Sequence, residues 1–293
     1  MFGKLITAMI TPFSEDSSIN FPLAEKLAGY LKENGSDAIV LHGTTGESPT
    51  LTHEEEYELY RRIKNSTGKK VKLIAGTGSN STATSIKSTK VAEEIGMDGI
   101  MIVVPYYNKP SQEGMYQHFK AVAENTKLPI IIYNIPGRCV VNMLPETVAR
   151  LSKIKNIVGL KDAAANPEQT QKTRALLPAD FTIWSGDDGM TLEFMRKGAV
   201  GVISVASHIV GNEIKAMIDA FDSGNLKKAE EINQRLEDIF RVLFITANPT
   251  PLKAALLMLG WPVGKPRLPL VEATVDEKRQ IREVLVKHNL LNK

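Results

Sequence analysis

The chain has 293 residues, 43% hydrophobic and 24% charged, with a net charge of +3 spread over both signs. This is a globular composition with room for one large domain or two small ones, and no Lys/Arg block or basic-aromatic stripe points to a nucleic-acid partner. The single cysteine, Cys139, excludes an intrachain disulfide framework and predicts a reducing, cytoplasmic setting, and no apolar run approaches the length of a membrane span. The N-terminal stretch from Met1 to Phe13 is apolar but carries only Lys4, so it reads as a first strand and not as a signal peptide.

From there short apolar runs alternate with helix-length amphipathic segments. The runs fall at 5–10, 38–41, 71–75, 99–104, 129–133, 157–161, 181–185 and 200–205. They are rich in Ile and Val and apolar on both faces, the pattern of parallel strands covered by helices. After the first run, Leu23, Leu27, Tyr30 and Leu31 share one helical face, opened by Asn20 and Pro22. After the second, Thr52 and Glu55 have capping-box spacing. Gly35, Gly68 and Gly96 fall where helices should stop. Eight strand-helix units predict an α/β fold, a (β/α)8 TIM barrel over residues 1–224. The alternative is an open doubly wound sheet, disfavoured because no Gly-rich dinucleotide turn follows the first run.

Residues 225–293 read as a C-terminal helical extension, too short for a core of its own and expected to pack on the barrel or a neighbouring subunit. Residues 226–247 form one long amphipathic stretch, and Asn248-Pro249 restarts a helix through 259. Residues 260–269 are loop, broken by Pro262, Pro266 and Pro269. Thr274 and Glu277 supply a capping box for a last helix.

In a barrel of this kind reactive side chains gather at the C-terminal strand ends. There the chain places Gly43-Thr44-Thr45-Gly46-Glu47, Pro105-Tyr106-Tyr107-Asn108, Tyr133 through Arg138, Lys161-Asp162 and Gly186-Asp187-Asp188. Each has a plain reading. Lys161 would snorkel to water, the threonines would cap a helix, and the tyrosines would pack. Arg138 would pair with a surface carboxylate, and Asp187 and Asp188 would cap the next helix. Gly186 and the 198–201 region offer a weak phosphate cradle. The five histidines show no metal-ligand spacing, so no metal is expected. Taken together the residues describe other chemistry. A lysine buried at a strand end loses its proton more easily and becomes a Schiff-base nucleophile. Phenol and threonine hydroxyls form a proton relay. A Gly-Thr-Thr-Gly turn suits a carboxylate, and a rim arginine suits a second one. The set describes a Schiff-base lyase or aldolase acting on a 2-oxo acid.

On these motifs the chain resembles the dihydrodipicolinate synthase family of pyruvate-dependent class I aldolases. The resemblance runs from Thr7-Ala8-Met9-Ile10-Thr11-Pro12-Phe13 to Pro249-Thr250-Pro251-Leu252-Lys253. It implies that Lys161 forms an imine with pyruvate and that Tyr133, Thr44 and Tyr107 form the proton relay. Thr45 would hold the pyruvate carboxylate and Arg138 that of aspartate semialdehyde. Gly186 and Ile203 would give main-chain contacts. It implies no external cofactor, no membrane and a homo-oligomer, commonly a dimer-of-dimers tetramer in which Tyr107 is supplied by the neighbour. Arg138 and Thr44-Thr45 favour the synthase over the sialic-acid and sugar-acid lyases of the superfamily, which stay open beside a non-catalytic 2-oxo-acid-binding barrel. Cys139-Val140 stands where many synthases have Thr-Gly, and Cys139 is expected to be a packing residue. Ser48, His53, Asn80 and Tyr106 match an allosteric lysine site of the family. Pro49, Glu56 and Thr84 depart from it, so lysine inhibition is expected to be weak or absent.

Overall fold

Eight parallel strands close on themselves in chain order in the computed structural model, which describes residues 1–292. They are β1 (Leu5–Ala8), β2 (Ala38–Leu41), β3 (Lys72–Gly76), β4 (Gly99–Val103), β5 (Ile130–Asn134), β6 (Ile157–Asp162), β7 (Thr182–Ser185) and β8 (Gly201–Ser204). The closing pair is β1 with β8, Ile6 opposite Ile203. The open doubly wound alternative is thereby excluded. Each apolar run of the sequence overlaps one of these strands, with ends that differ by at most two residues. The first ends at Ala8 because the chain beyond it leaves the ladder after Met9 N–H donates to the Val40 carbonyl at 3.0 Å.

Helices α1 (Phe21–Glu33), α2 (His53–Thr67), α3 (Thr82–Ile95) and α4 (Gln112–Ala123) follow the first four strands. A short α5 (Pro136–Cys139) and α6 (Pro145–Leu151) follow β5. Next come α7 (Pro167–Leu176), α8 (Thr191–Arg196) and α9 (Ser207–Asp222). Local chemistry sets their ends. Asn20 accepts from Leu23 N–H, and Thr52 and Glu55 form a complete capping box. Gly68 and Gly96 cap α2 and α3 with positive φ, and Gly35 follows α1 with φ +93°.

Strand side chains alternate between two apolar layers. Leu5, Ile39, Leu41, Leu73, Ile130, Ile132, Leu160, Ile183 and Val202 face the helices. Ile6, Ala8, Ala38, Val40, Ile74, Met101, Ile131, Tyr133, Trp184 and Ile203 fill the barrel. Burying each large apolar side chain contributes about 1.5–3 kcal/mol. Phe2 belongs to the inner layer at the N-terminal end, where its ring lies so close to Gly99 that a Cβ there would sit 2.4 Å from it. At the other end the inner layer becomes polar, and the site begins there.

After β8 the chain is helical: α10 (Leu226–Val242), α11 (Thr250–Met258) and α12 (Val275–Lys287). The stretch at 226–247 is therefore helical only to Val242. Pro249 disfavours helical backbone at the residue before it, and the chain turns through Leu243 to Asn248 before α11 starts. Helix α10 packs on α9 and α8, and α12 packs on α10 and α11.

Candidate active site

Lys161 and Tyr133 are direct cross-strand partners on β6 and β5. Strand alternation sends both into the barrel, while Leu160 and Asp162 turn outward, Asp162 accepting from the Thr170 hydroxyl at 2.8 Å. Lys161 Nζ lies 4.3 Å from the centre of the Tyr133 ring. Gly159, two residues earlier, has no Cβ because one would sit 2.5 Å from the Trp184 indole. Trp184 is in register with Lys161 on β7 and belongs to the inner layer.

Lys161 is only 5% exposed. Burial pulls its pKa down to about 8; the Asp188 carboxylate opposes the shift and the Arg138 guanidinium adds to it. Relative to an ordinary lysine, a pKa of about 8 raises the neutral fraction at pH 7 roughly 300-fold. Burial pushes the Tyr133 phenol up to about 12, against the Thr44 hydroxyl and Arg138, which both favour the phenolate. At neutral pH Tyr133 is thus a protonated hydroxyl that can donate a hydrogen bond.

Thr44 and Thr45 sit in a doubly bonded turn. Gly46 N–H donates to Gly43 O and Glu47 N–H to Thr44 O, both at 3.1 Å. Gly46 fits closely there, since a Cβ would stand 3.1–3.2 Å from His42 N and Cα and from the Met9 carbonyl, which would have to give by a few tenths of an ångström. The Thr11 hydroxyl anchors the Gly46 carbonyl at 2.6 Å. Thr45 is buried, and its Oγ1 accepts from Asn248 Nδ2 at 2.9 Å. The Asn248 carbonyl in turn accepts from Arg138 Nη2 at 3.3 Å. Asn248 therefore joins the two side chains assigned to the two substrate carboxylates. Its 203-residue separation from Thr45 gave the sequence no cue to this, and it read only as a helix restart.

Among the described residues Arg138 pairs with no carboxylate; it lines the cavity from α5. Val140, which caps α5, takes φ +67°, a strained conformation for a β-branched residue and one that glycine accepts freely. Cys139 is buried against the core, and burial raises its thiol to about 11, so it is a neutral packing group. Asp188 does not cap the next helix with its side chain. Its carboxylate accepts from Ser204 Oγ at 2.5 Å and from Val205 and Ala206 N–H at 2.9 and 3.0 Å, tying β7 to the end of β8. Asp187 does not cap α8 either; it accepts from Met190 N–H at 3.2 Å in the turn just ahead of the helix, whose N-cap is Met190. Gly186 follows β7, and its N–H already donates to the Asp162 carbonyl at 2.7 Å, so a main-chain contact from it would come through its own carbonyl. Ile203 lies in the inner layer on β8. The glycines near 198–201 serve packing, because a Cβ on Gly198 would strike Arg174 and one on Gly201 the Lys4 carbonyl.

A cavity of about 490 Å³ opens over this rim, lined by Thr44, Tyr133 and Arg138 and extending past His42 to Ser48, His53, Glu56 and Tyr106. His42 is buried and held neutral, with a pKa pulled to about 3 by burial. Asn80 does not line the cavity; its carbonyl accepts from Asn108 Nδ2 at 2.9 Å. Tyr107 does not join the others either. It is 88% exposed on backbone with φ +73°, away from the cavity. Within one chain, then, Lys161, Tyr133, Thr44 and Arg138 converge and Tyr107 stands apart.

No helix among the described residues is long and apolar enough to cross a membrane. Residues 1–288 match the Dihydrodipicolinate synthetase family. The chain is 53% identical over 290 residues to the 4-hydroxy-tetrahydrodipicolinate synthase of Desulforudis audaxviator, covering 99% of each. Its structure is similar to that of DHDPS from Cyanidioschyzon merolae, solved with lysine bound, at a TM-score of 0.98 and 48% identity over 99% of each chain. It is likewise similar to dihydrodipicolinate synthase from Bacillus anthracis, at a TM-score of 0.96 and 50% identity over 98% of each. A closed barrel with a desolvated lysine beside a tyrosine, and similarity of this extent, lead to one assignment: the chain belongs to the dihydrodipicolinate synthetase family.

Proposed function

We propose that this chain condenses pyruvate with L-aspartate 4-semialdehyde to give 4-hydroxy-tetrahydrodipicolinate, a lyase-type step of lysine and diaminopimelate biosynthesis. The observation that carries this reading is the Lys161–Tyr133 pair, an amine with its pKa near 8 placed 4.3 Å from a phenol ring. Neutral Lys161 attacks the pyruvate carbonyl, and the carbinolamine loses water to give an imine. Loss of a methyl proton turns the imine into an enamine, whose carbon adds to the aldehyde. The amine of the second substrate then displaces Lys161 and closes the ring. Tyr133 and Thr44 move the protons, with Tyr107 as the outlet toward solvent. Thr45 takes the pyruvate carboxylate, Arg138 the second carboxylate, and Gly186 and Ile203 contribute backbone around the imine. The lysine is itself the electron sink, so the scheme uses no external cofactor.

The test is direct. Borohydride added with pyruvate should leave one adduct, on the peptide carrying Lys161. A coupled assay should then consume aspartate semialdehyde and not a sialic or sugar acid. A trapped adduct with turnover of sugar acids alone would favour the lyase alternative, and no adduct would favour a 2-oxo-acid-binding barrel.

The same reading assigns residues 1–224 to the catalytic barrel and 225–293 to a helical extension packed on it; Lys293 lies outside the described residues. It makes the active enzyme a cytoplasmic homo-oligomer, a dimer of dimers as is common in the family, and at least a dimer because Tyr107 reaches a relay only from a second copy. The support is its exposure and positive φ, which leave it outside its own chain's cavity. The far end of the cavity, with Ser48, His53 and Tyr106, is then the effector compartment, with Asn80 at its edge. Glu56 is the carboxylate available there in place of one at Thr84. Burial pushes Glu56 up, against hydrogen bonds with His53 Nδ1 at 3.0 Å and Ser48 Oγ at 2.9 Å. A carboxyl so occupied and so reluctant to ionise is a poor partner for an α-ammonium group. Lysine titrated into the assay should inhibit weakly or not at all; strong, cooperative inhibition at sub-millimolar concentration would refute this. Light scattering on the same sample should give a tetramer, and a fully active monomer would remove Tyr107 from the relay.

A further inference from the structure

A second lysine is buried in this protein, outside the catalytic pair. Lys253 on α11 is 1% exposed at its side chain, and its Nζ lies 2.5 Å from Oε1 of Glu47, whose side chain is fully buried. The Phe13 ring covers the ammonium at 4.0 Å. The other carboxylate oxygen, Oε2, accepts from Arg267 N–H at 2.8 Å. The Arg267 side chain lies over the same Phe13 ring and runs on to Glu55 and to the carbonyls of Ser17 and Thr50. Two segments of the C-terminal extension thus grip a single side chain of the barrel. A buried ion pair is weak grounds for stability, because desolvating both charges offsets most of their attraction. Its geometry is the more informative feature.

Glu47 is the last residue of the Gly43-Thr44-Thr45-Gly46-Glu47 turn and takes φ +56°, a conformation glutamate adopts only when its surroundings over-determine it. Its N–H donates to the Thr44 carbonyl, so the peptide joining Thr44 to Thr45 is fixed to Glu47. From the other side Asn248, five residues before Lys253, donates to the Thr45 hydroxyl. The start of α11 therefore holds the turn at both Thr45 and Glu47.

We propose that Lys253 and Glu47 are positioning residues for pyruvate: the pair fixes the Thr44-Thr45 turn at the height where Thr45 meets the substrate carboxylate. This rests on the role given to Thr45 above. A conformational error of about 1 Å in a binding group costs up to a hundredfold, which a loosened turn would supply without any change at Lys161.

The test uses the full-length enzyme and the pyruvate concentration giving half-maximal borohydride trapping, read beside the thermal midpoint. Lys253→Met leaves Glu47 buried without its cation and should lower the midpoint and raise half-saturation together. Lys253→Met with Glu47→Gln removes both charges and keeps an acceptor for Arg267 N–H, so the midpoint should recover toward the parent. Half-saturating pyruvate should stay raised by about tenfold or more in the double variant. Lys253→Arg, which keeps the cation, should restore it in part. A double variant with parental half-saturation shows that the pair serves folding alone and overturns the proposal. Should the double variant not fold, Glu47→Asp, which withdraws the carboxylate by one methylene with Lys253 in place, is read by the same criterion. A parent enzyme that traps no pyruvate sinks the imine reading itself; a parent that traps it, beside a variant with unchanged half-saturation, sinks only this inference.

Discussion

Lys161→Ala should abolish borohydride trapping of pyruvate and lower kcat by roughly 10³-fold or more, while leaving the barrel folded. The fold survives because, among the described residues, Lys161 has no hydrogen-bond or ion-pair partner and its ammonium lies over the Tyr133 face. Removing a desolvated amine also relieves a burial penalty, so the thermal midpoint should hold or rise. Intact trapping in the variant would place the imine elsewhere, and Lys253, also near pKa 8, would be the first residue to examine. Its neighbours argue against it, since Glu47 pairs with its ammonium and the Phe13 ring covers it. The pH dependence follows from the sign of the Lys161 shift. The nucleophile is the neutral amine, so trapping by the free enzyme should climb as pH rises through about 8 and level off above it. A climb that continues past about pH 10 would describe an ordinary solvated lysine.

Much of the barrel was legible in the sequence, because two-sided burial writes itself as continuous Ile/Val runs and each helix carries its own start and stop. The runs at 38–41 and 99–104 needed no tertiary knowledge, and the capping boxes at Thr52 and Thr274 formed as their spacing required. The rim motifs were legible for the same reason: a lysine, a tyrosine and an arginine at strand ends are conspicuous against apolar neighbours. What the sequence hid was pairing at a distance. Nothing local distinguishes Asn248 from any residue before a proline, yet it connects Thr45 to Arg138. Glu47 read as the polar end of a turn, and only the fold shows that Lys253 neutralises it. Asp188 read as a helix cap and instead ties two strand ends together. Val140 carries strain of a kind no composition reveals, because the left-handed conformation belongs to the turn after α5 and not to the residue. Tyr107 is a different case, since one chain alone gives it nothing to contact in the cavity.

Arg138→Ala should separate the two substrates. Loss of a charge-assisted carboxylate contact costs about 1.5–3 kcal/mol, which predicts a fall of roughly 10- to 150-fold in kcat/KM for aspartate semialdehyde. Pyruvate trapping should change far less. The first cause of the low Lys161 pKa is burial, which the substitution leaves largely intact, and Arg138 is the smallest of the three contributions. Its removal also takes away a charge that favours the Tyr133 phenolate, which leaves the phenol protonated, as the relay requires. The one structural cost lies at Asn248, whose carbonyl loses its guanidinium donor while its amide keeps Thr45. A lysine side chain at this position is no equivalent, because an ammonium cannot reach a carboxylate and the Asn248 carbonyl in one planar fork; Arg138→Lys should therefore recover only part of the lost efficiency. Equal damage to trapping and to aldehyde turnover in the alanine variant would mean that Arg138 acts on the imine step, and its role as the second carboxylate's partner would have to be abandoned.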